Sequence, residues 1–411
     1  MNKKLLVAVL MLMLGIAVLA AACGSEETTT TAAPSTETTG APSGEPIKIG
    51  YNGGFTGFMA YDVELAEKGI KTAFAMLDNQ ILGRPIKYFP EDNASDPVIA
   101  VDKARKQVES DGINVLIGPI FSPSAKAVTD YLGKSTGIPQ MSIVGQPTEN
   151  LDTANNLAFI HTGFFDSHGY YFGKFLAEKG YKTVNVINYD DTPAYALTAG
   201  FKKAFVDEGG GQVLSENYVP LDVVDFSAYL TAMKPADLTL FWIFGNGAVP
   251  FVKQYKDYGL AAPLAAPMSN NFSDEQLAEL GDIGQGMLAV DYYAYTIENP
   301  LNDEFVAAYQ KLYPGENPTP QAYGSWQGVM LYAEGLKATN GDTTPAKVIE
   351  AMSTMTLDAP TGKLTMVPHK GAYIGTRNLY MLEVQKVGDV FTWVPVKTYE
   401  NVLLGELDQL K

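Results

Sequence analysis

The stretch VLIGPIFSPSA at 115–125 limits the possible folds more than any other. Val115 to Gly118 has the composition of a short buried strand. Ser122-Pro123 looks like a helix start, with Ser in a favoured cap position and Pro, which lacks an N–H, in the first turn. A strand that feeds directly into a helix leaves free backbone N–H groups and a positive dipole end above the sheet edge. In open α/β sheets ligands collect at the carboxyl ends of strands. The corner is therefore a candidate for holding a carboxylate.

The same alternation runs along the chain. Strands are expected at 47–52, 86–89, 115–118, 139–144 and 158–162, with helices over about 62–79, from the Asp96-Pro97 cap onward, and over 122–134. It then restarts. A helix over 168–179 precedes a strand at 183–188, and Thr192-Pro193 opens a helix to about 208. Strands follow at 212–219, 238–244, 264–267 and 286–294, then helices over 303–313, 321–339 and 345–355. The last part turns to strand at 363–367, 378–387 and 391–396. Such alternation means α/β architecture, a parallel sheet and right-handed crossovers. A chain of 411 residues exceeds one ordinary core, which predicts two such units in series.

Residues 1–23 carry other information. Lys3-Lys4 form a positive start, Leu5 to Ala22 an apolar run, and Ala20-Ala21-Ala22-Cys23 a small-residue cleavage region. The last four residues with Gly24-Ser25 resemble a bacterial lipoprotein box, with Ala20 where Leu is preferred. The resemblance implies a lipid on Cys23 and a location outside the cytoplasm, anchored to the membrane. Residues 24–46 are rich in Thr, Ser, Pro, Gly and Glu, the composition of a flexible tether.

Lys and Arg number 29 against 46 Asp and Glu, and the net charge of −17 argues against nucleic acid as a partner. One Cys cannot form an internal disulfide, and the three His lie in separate elements, so no metal site is expected. Nucleophile-elbow, zinc-protease and P-loop motifs are missing from the sequence, and Gly245-Asn246-Gly247 lacks the third glycine of a dinucleotide fingerprint. No cofactor and no catalytic residue is expected. What the strand ends do carry is aromatics, hydroxyls and amides. Phe55, Phe58 and Tyr61 follow the first strand, Phe121 and Ser122 the third, and Val144, Gly145 and Gln146 the fourth. Tyr195, Phe244-Asn246 and Ser269-Asn270-Asn271 end strands of the second unit. These residues suit a pocket that binds and orients. Asp190-Asp191 could be an acid pair, although neighbouring carboxylates there are more often solvated caps.

FTG at 55–57, DNQILGRPI at 78–86, EDNASDP at 91–97, IGPIFSPSA at 117–125 and GIPQMS at 137–142 recur in order with PAYALTAGF at 193–201, QAYGSWQGVMLYAEGL at 321–336 and GKLTM at 362–366. Together they resemble the branched-chain amino acid receptors of bacterial ABC importers, over essentially all of 47–411. The resemblance implies the type I periplasmic-binding-protein fold, two Rossmann-like lobes with parallel sheets joined by three hinge crossovers. It assigns 47–162 and 292–376 to lobe one, and 163–291 and 377–411 to lobe two. A monomer that closes its cleft on a small solute and hands it to an ABC permease is implied.

Carried over by position, Ser122, Val144, Gly145 and Gln146 hold a ligand carboxylate, on the helix start and the Gly145 and Gln146 amides. Tyr195 covers the ligand and Phe244-Gly245-Asn246 adds a second aromatic loop. Phe58, Tyr61 and Phe121 would meet the ligand's tail. Three positions depart from the family. Gln146 replaces a usual Thr, and His161 a usual Arg. Asn270, or a neighbour, replaces the acid that holds an α-ammonium, with Asp62 and Asp166 as possible substitutes. A buried ammonium without a carboxylate is costly, which points away from a plain leucine receptor. Branched-chain or aromatic amino acids, related carboxylates, and amide, urea or aromatic acids without an α-amino group remain open. So do a sensor subunit in place of a transport receptor and, least favoured, an amidase using Asp190 or Asp191.

Overall fold

The computed structural model describes residues 44–146, 151 and 153–406. The signal segment with Cys23, and the tether up to residue 43, lie outside the described residues. Among the described residues no helix is long and apolar enough to cross a membrane.

The first series runs β1 (Ile47–Gly53), α1 (Ala60–Met76), β2 (Gln80–Ile81), β3 (Arg84–Asp92), α2 (Pro97–Arg105), β4 (Val115–Ile117), α3 (Ser122–Ser135), β5 (Gln140–Met141) and β6 (Ala158–Ile160). The second runs α4 (Phe165–Glu178), β7 (Thr183–Tyr189), α5 (Thr192–Lys202), β8 (Gln212–Val219), α6 (Ser227–Thr231), β9 (Leu238–Trp242), α7 (Ala248–Asp257), β10 (Leu264–Ala266), α8 (Asp274–Leu280) and β11 (Leu288–Asp291). Three helices follow, α9 (Pro300–Leu312), α10 (Pro320–Ala338) and α11 (Pro345–Met352), then β12 (Thr356–Ala359), β13 (Gly362–His369), β14 (Ala372–Val387) and β15 (Val390–Leu403).

The main path of the sheet is β2-β3-β1-β4-β5-β6-β14-β11-β10-β9-β7-β8. Both series are parallel within themselves apart from the β2–β3 hairpin. Helices cover both faces, so β4 can be an unbroken apolar run and β9 apolar but for Thr239, and every residue of each is buried. β14 is the seam. Its start pairs parallel with β6 over Ala372–Ile374, and its later part pairs antiparallel with β11 over Tyr380–Glu383. The chain thus passes between the two half-sheets after β6, after β11 and within β14.

Helix starts follow the expected chemistry with two shifts. Asp96 caps α2, its carboxylate accepting from Val98 N and Ile99 N at 2.7 and 3.0 Å. Ser122 and Thr192, expected as caps, are instead the first helical residues. The caps are Phe121, in extended conformation, and Asp191, whose carboxylate accepts from Ala194 N at 2.9 Å. The strand expected at 139–144 shortens to β5. Beyond it the carbonyls of Ile143 and Val144 accept from the hydroxyls of Tyr292 and Thr162. β2, α6, α8 and β12 were not legible, being too short to show a period.

Helices α4 and α5 meet so closely that only glycine fits between them. A Cβ on Gly200 would stand 1.9 Å from the carbonyl oxygen of Asp166, and one on Gly169 would stand 2.0 Å from that of Leu197. Both obstacles are backbone, so neither can swing aside. Gly200→Ala should therefore destabilise the protein by roughly 1–3 kcal/mol, the cost of overpacking, as read by urea denaturation. An unchanged midpoint would show that the helices separate without penalty.

Candidate functional site

At the ends of the first series the aromatics meet. Phe58 and Phe121 are edge to face, 5.0 Å between centroids. Phe58 and Tyr61 are exposed at 66% and 55%, which leaves two large rings free to cover an apolar solute. Ser122 is buried at the start of α3, next to Ser124, whose hydroxyl has no partner among the described residues. Val144, Gly145 and Gln146 are buried on the neighbouring strand end. Gly145 lies close under the Phe165 ring, so that a Cβ there would stand 3.0 Å from it and the ring would have to give by a few tenths of an ångström.

The Gln146 N–H is not free to hold a carboxylate. It donates to Gly163 O at 3.0 Å, while Gln146 O accepts from Phe165 N at 3.2 Å. These bonds form an isolated parallel bridge that anchors the loop to the segment leaving β6. The start of α3 is left as the anion-facing feature of this series.

In the second series Phe244 lies edge to face on Tyr189 at 5.1 Å, and Asn246 is exposed in a short turn over Gly245–Gly247. Asn270 lies in the turn Ser269–Asn271, and its side-chain oxygen has no partner among the described residues. Tyr195 stands in the first turn of α5. It stacks on Tyr218 of β8 at 4.3 Å, donates its hydroxyl to Asp190 at 2.6 Å, and lines an outer cavity of about 640 Å³ with Lys202 and Glu216. The two series do meet at their strand ends. Tyr61, beyond β1, lies near Ser273 and Glu275, beyond β10, burial and that carboxylate raising its pKa, and Asn317, in the loop before α10, donates to Asp274 at 2.8 Å.

The expected substitute acids are both engaged. Asp62 accepts from Gln321 at 2.8 Å, and burial raises its pKa. Asp166 is buried at the start of α4, where it accepts from Ser167 N at 3.2 Å. Asp191 is less solvated than a loop cap would be, with Trp242 Nε1 donating to it at 3.2 Å and burial pushing its pKa up to about 6. Among the described residues no group of His, Cys, Asp and Glu could hold a metal ion.

Several residues were not anticipated. Asp291 ends β11 fully buried, accepting from Ser269 N and Oγ at 3.1 and 2.7 Å and from Tyr292 N at 2.8 Å. Burial pushes its pKa up to about 7 against those bonds and the Arg377 charge. Burial lowers His161 and His168 to about 4. Arg377 is fully buried in β14. A sequence signal existed for it, a lone charge in the otherwise uncharged strand start AYIGTRNLYM.

Residues 46–389 match the periplasmic binding protein family. The chain belongs to that family. It is a solute-binding receptor of the type I fold. A Leu/Ile/Val-binding protein homolog of Brucella melitensis is 28% identical over 353 residues, 84% of this chain and 88% of the relative. The leucine-, isoleucine-, valine-, threonine- and alanine-binding protein of Pseudomonas aeruginosa is 27% identical over 78% of this chain and 85% of its own length. A solute binding protein of an ABC transporter from Rhodopseudomonas palustris, solved with 3,4-dihydroxybenzoic acid, superposes with a TM-score of 0.78 at 25% identity, covering 87% of this chain and 98% of that one.

The buried ionisable groups of this receptor act on stability in opposite directions. Asp291 holds its proton in the folded state up to about pH 7, whereas an unfolded Asp ionises near pH 4. Its contribution is present at low pH and is lost as pH rises toward 7. His161 and His168 stay neutral when folded and charge when unfolded below about pH 6.5, so their contribution is lost as pH falls. Asp291→Asn removes the first effect alone. Its melting temperature relative to wild type should climb steadily between pH 4 and 7; a flat difference would mean Asp291 is ionised throughout.

Proposed function

We propose that the protein captures a small amphipathic carboxylate between its two half-sheets and delivers it to an ABC permease, tethered outside the cytoplasm by lipid on Cys23. The boundaries expected above, 47–162 with 292–376 and 163–291 with 377–411, would then be two lobes turning about the three chain passages. The observation that carries this is the pairing of the exposed Phe58 ring and the half-buried Phe121 ring with the buried Ser122 helix start: an apolar cover beside a positive dipole end. The carboxylate would lie on the start of α3, and Tyr61, Phe244 and Asn246 would close over the tail. The hydroxyl–imidazole contact at these strand ends, Ser142 Oγ to His161 Nδ1 at 3.5 Å, is buried away from solvent, and binding would leave the solute unchanged.

The ligand range includes the aliphatic amino acids of the curated relatives and the aromatic acid of the structural neighbour. A ligand without an α-amino group is favoured by the loop at 269–271. It offers Ser269, Asn270 and Asn271, and the acid beside it, Asp291, is already bonded to Ser269 and Tyr292.

A thermal-shift screen against leucine, phenylalanine, 3,4-dihydroxybenzoate and short amides tests this. A ligand at a hundred times its Kd stabilises the folded state by about 2.7 kcal/mol. The aromatic acid should give the larger shift. Ser122→Ala should weaken binding by roughly tenfold, the order of one hydrogen bond to a charged group, with the unliganded melting temperature unchanged. The assignment fails if none of these solutes shifts the melting temperature, or if Ser122→Ala and Phe121→Ala both leave affinity intact.

A further inference from the structure

Arg377 is a fully buried cation, and among the described residues no carboxylate pairs with it. Its Nη1 donates to His161 O at 3.0 Å, and its Nη2 to Thr361 Oγ1 at 2.7 Å and Tyr323 OH at 3.3 Å. The guanidinium also lies over two rings, 5.0 Å from the centre of Tyr292 and 5.4 Å from that of Tyr323. Its Nε has no partner among the described residues. A buried charge is expensive, and an apolar side chain of similar volume often serves stability as well or better. Fold stability is therefore a weak reason for an arginine here.

Its contacts reach all three passages between the half-sheets. Arg377 lies in the passage through β14, His161 in the one after β6, and Tyr292 in the one after β11. Each of the other two connects to the loop beyond β5. Tyr292 donates its hydroxyl to Ile143 O at 3.1 Å and to Pro320 O at 2.8 Å. Next along from His161, Thr162 donates to Val144 O at 2.6 Å and Gly163 O accepts from Gln146 N at 3.0 Å. The imidazole of His161 bonds Gly324 O at 2.9 Å and so fastens the same segment to α10. The loop from Ile143 to Gln146 thus takes its backbone partners from segments that Arg377 grips.

We propose that Arg377 is a positioning residue for solute binding: by holding the His161 carbonyl and clamping the Tyr292 ring, it sets where Val144 and Gly145 meet the solute. This rests on the proposal that the strand ends are the solute site. Arginine suits the task because its planar fork bridges several acceptors while its faces stack on aromatics. Lysine would keep the charge and lose both the fork and the stacking.

Amide hydrogen exchange of the ligand-free full chain tests positioning directly. In wild type the Gln146 and Phe165 amides should exchange slowly, since both are bonded. Arg377→Lys, Arg377→Met and Tyr292→Phe should each speed these two amides by about tenfold while β1 and β7 exchange as before. Tyr292→Phe keeps the ring and removes only the hydroxyl, so it decides the matter if the arginine variants fold poorly. Unchanged exchange at these amides overturns the proposal, as does a uniform rise throughout the protein.

With leucine and 3,4-dihydroxybenzoate as probes, the same variants should dissociate a bound probe at least about fivefold faster. If Ser122→Ala weakens binding and these variants do not, the strand-end site stands and the role of Arg377 in it falls. If Ser122→Ala is also silent, the site assignment fails, and exchange at Gln146 and Phe165 alone decides whether Arg377 holds the loop.

Discussion

The structure depends on a positive charge kept out of water where its three chain passages converge. Arg377 has no acid partner among the described residues, and it is accommodated by three hydrogen bonds and two aromatic faces. Each of those partners must stay in place for the charge to be tolerated, since a buried ion deprived of its contacts is strongly destabilising. The requirement fixes the mutual placement of β6, β11 and β14. The charge also acts on its titratable neighbours in opposite senses: His161 and His168 are held neutral by burial with the guanidinium reinforcing it, while Asp291, raised by burial, is drawn back toward ionisation by the same charge.

Around that junction the two strand-end regions differ in character. The first offers a helix start, buried small residues and open rings. The second offers amides and hydroxyls, with its carboxylates drawn into caps and backbone bonds. An anion finds a positive dipole on one side and neutral polar groups on the other. A free ammonium would find few unengaged acids, which separates this chain from a simple amino acid receptor even though its relatives are named for amino acids.

Much of this was legible in the sequence. The alternation of strands and helices gave the fold class, because periods of two and three and a half residues differ enough to be told apart along a chain. β8 at 212–219 has the expected bounds, fixed by glycines before it and a proline after. The α3 and α5 starts were each displaced by one residue. A polar side chain beside a proline marks a helix start but does not say which residue turns the chain. The resemblance singled out Ser122, the 144–146 loop and Tyr195, but carries no sign that the Tyr195 ring stacks on Tyr218 of the edge strand. The Arg377 cluster was not legible because its members come together only in the fold: Arg377 and His161 are 216 positions apart, and Arg377 and Tyr323 are 54 apart.

β14 is one continuous strand with a parallel neighbour at its start and an antiparallel neighbour further on. Its register against β15 slips between Arg377 and Leu379, so the ladder is interrupted beside the buried charge. Such irregularities bend a strand and change its twist locally. Sliding one half-sheet past the other would break the hydrogen-bond ladders at both ends of β14, whereas bending at the slip breaks none. The point in β14 where a bend costs no ladder bond therefore lies beside the buried charge.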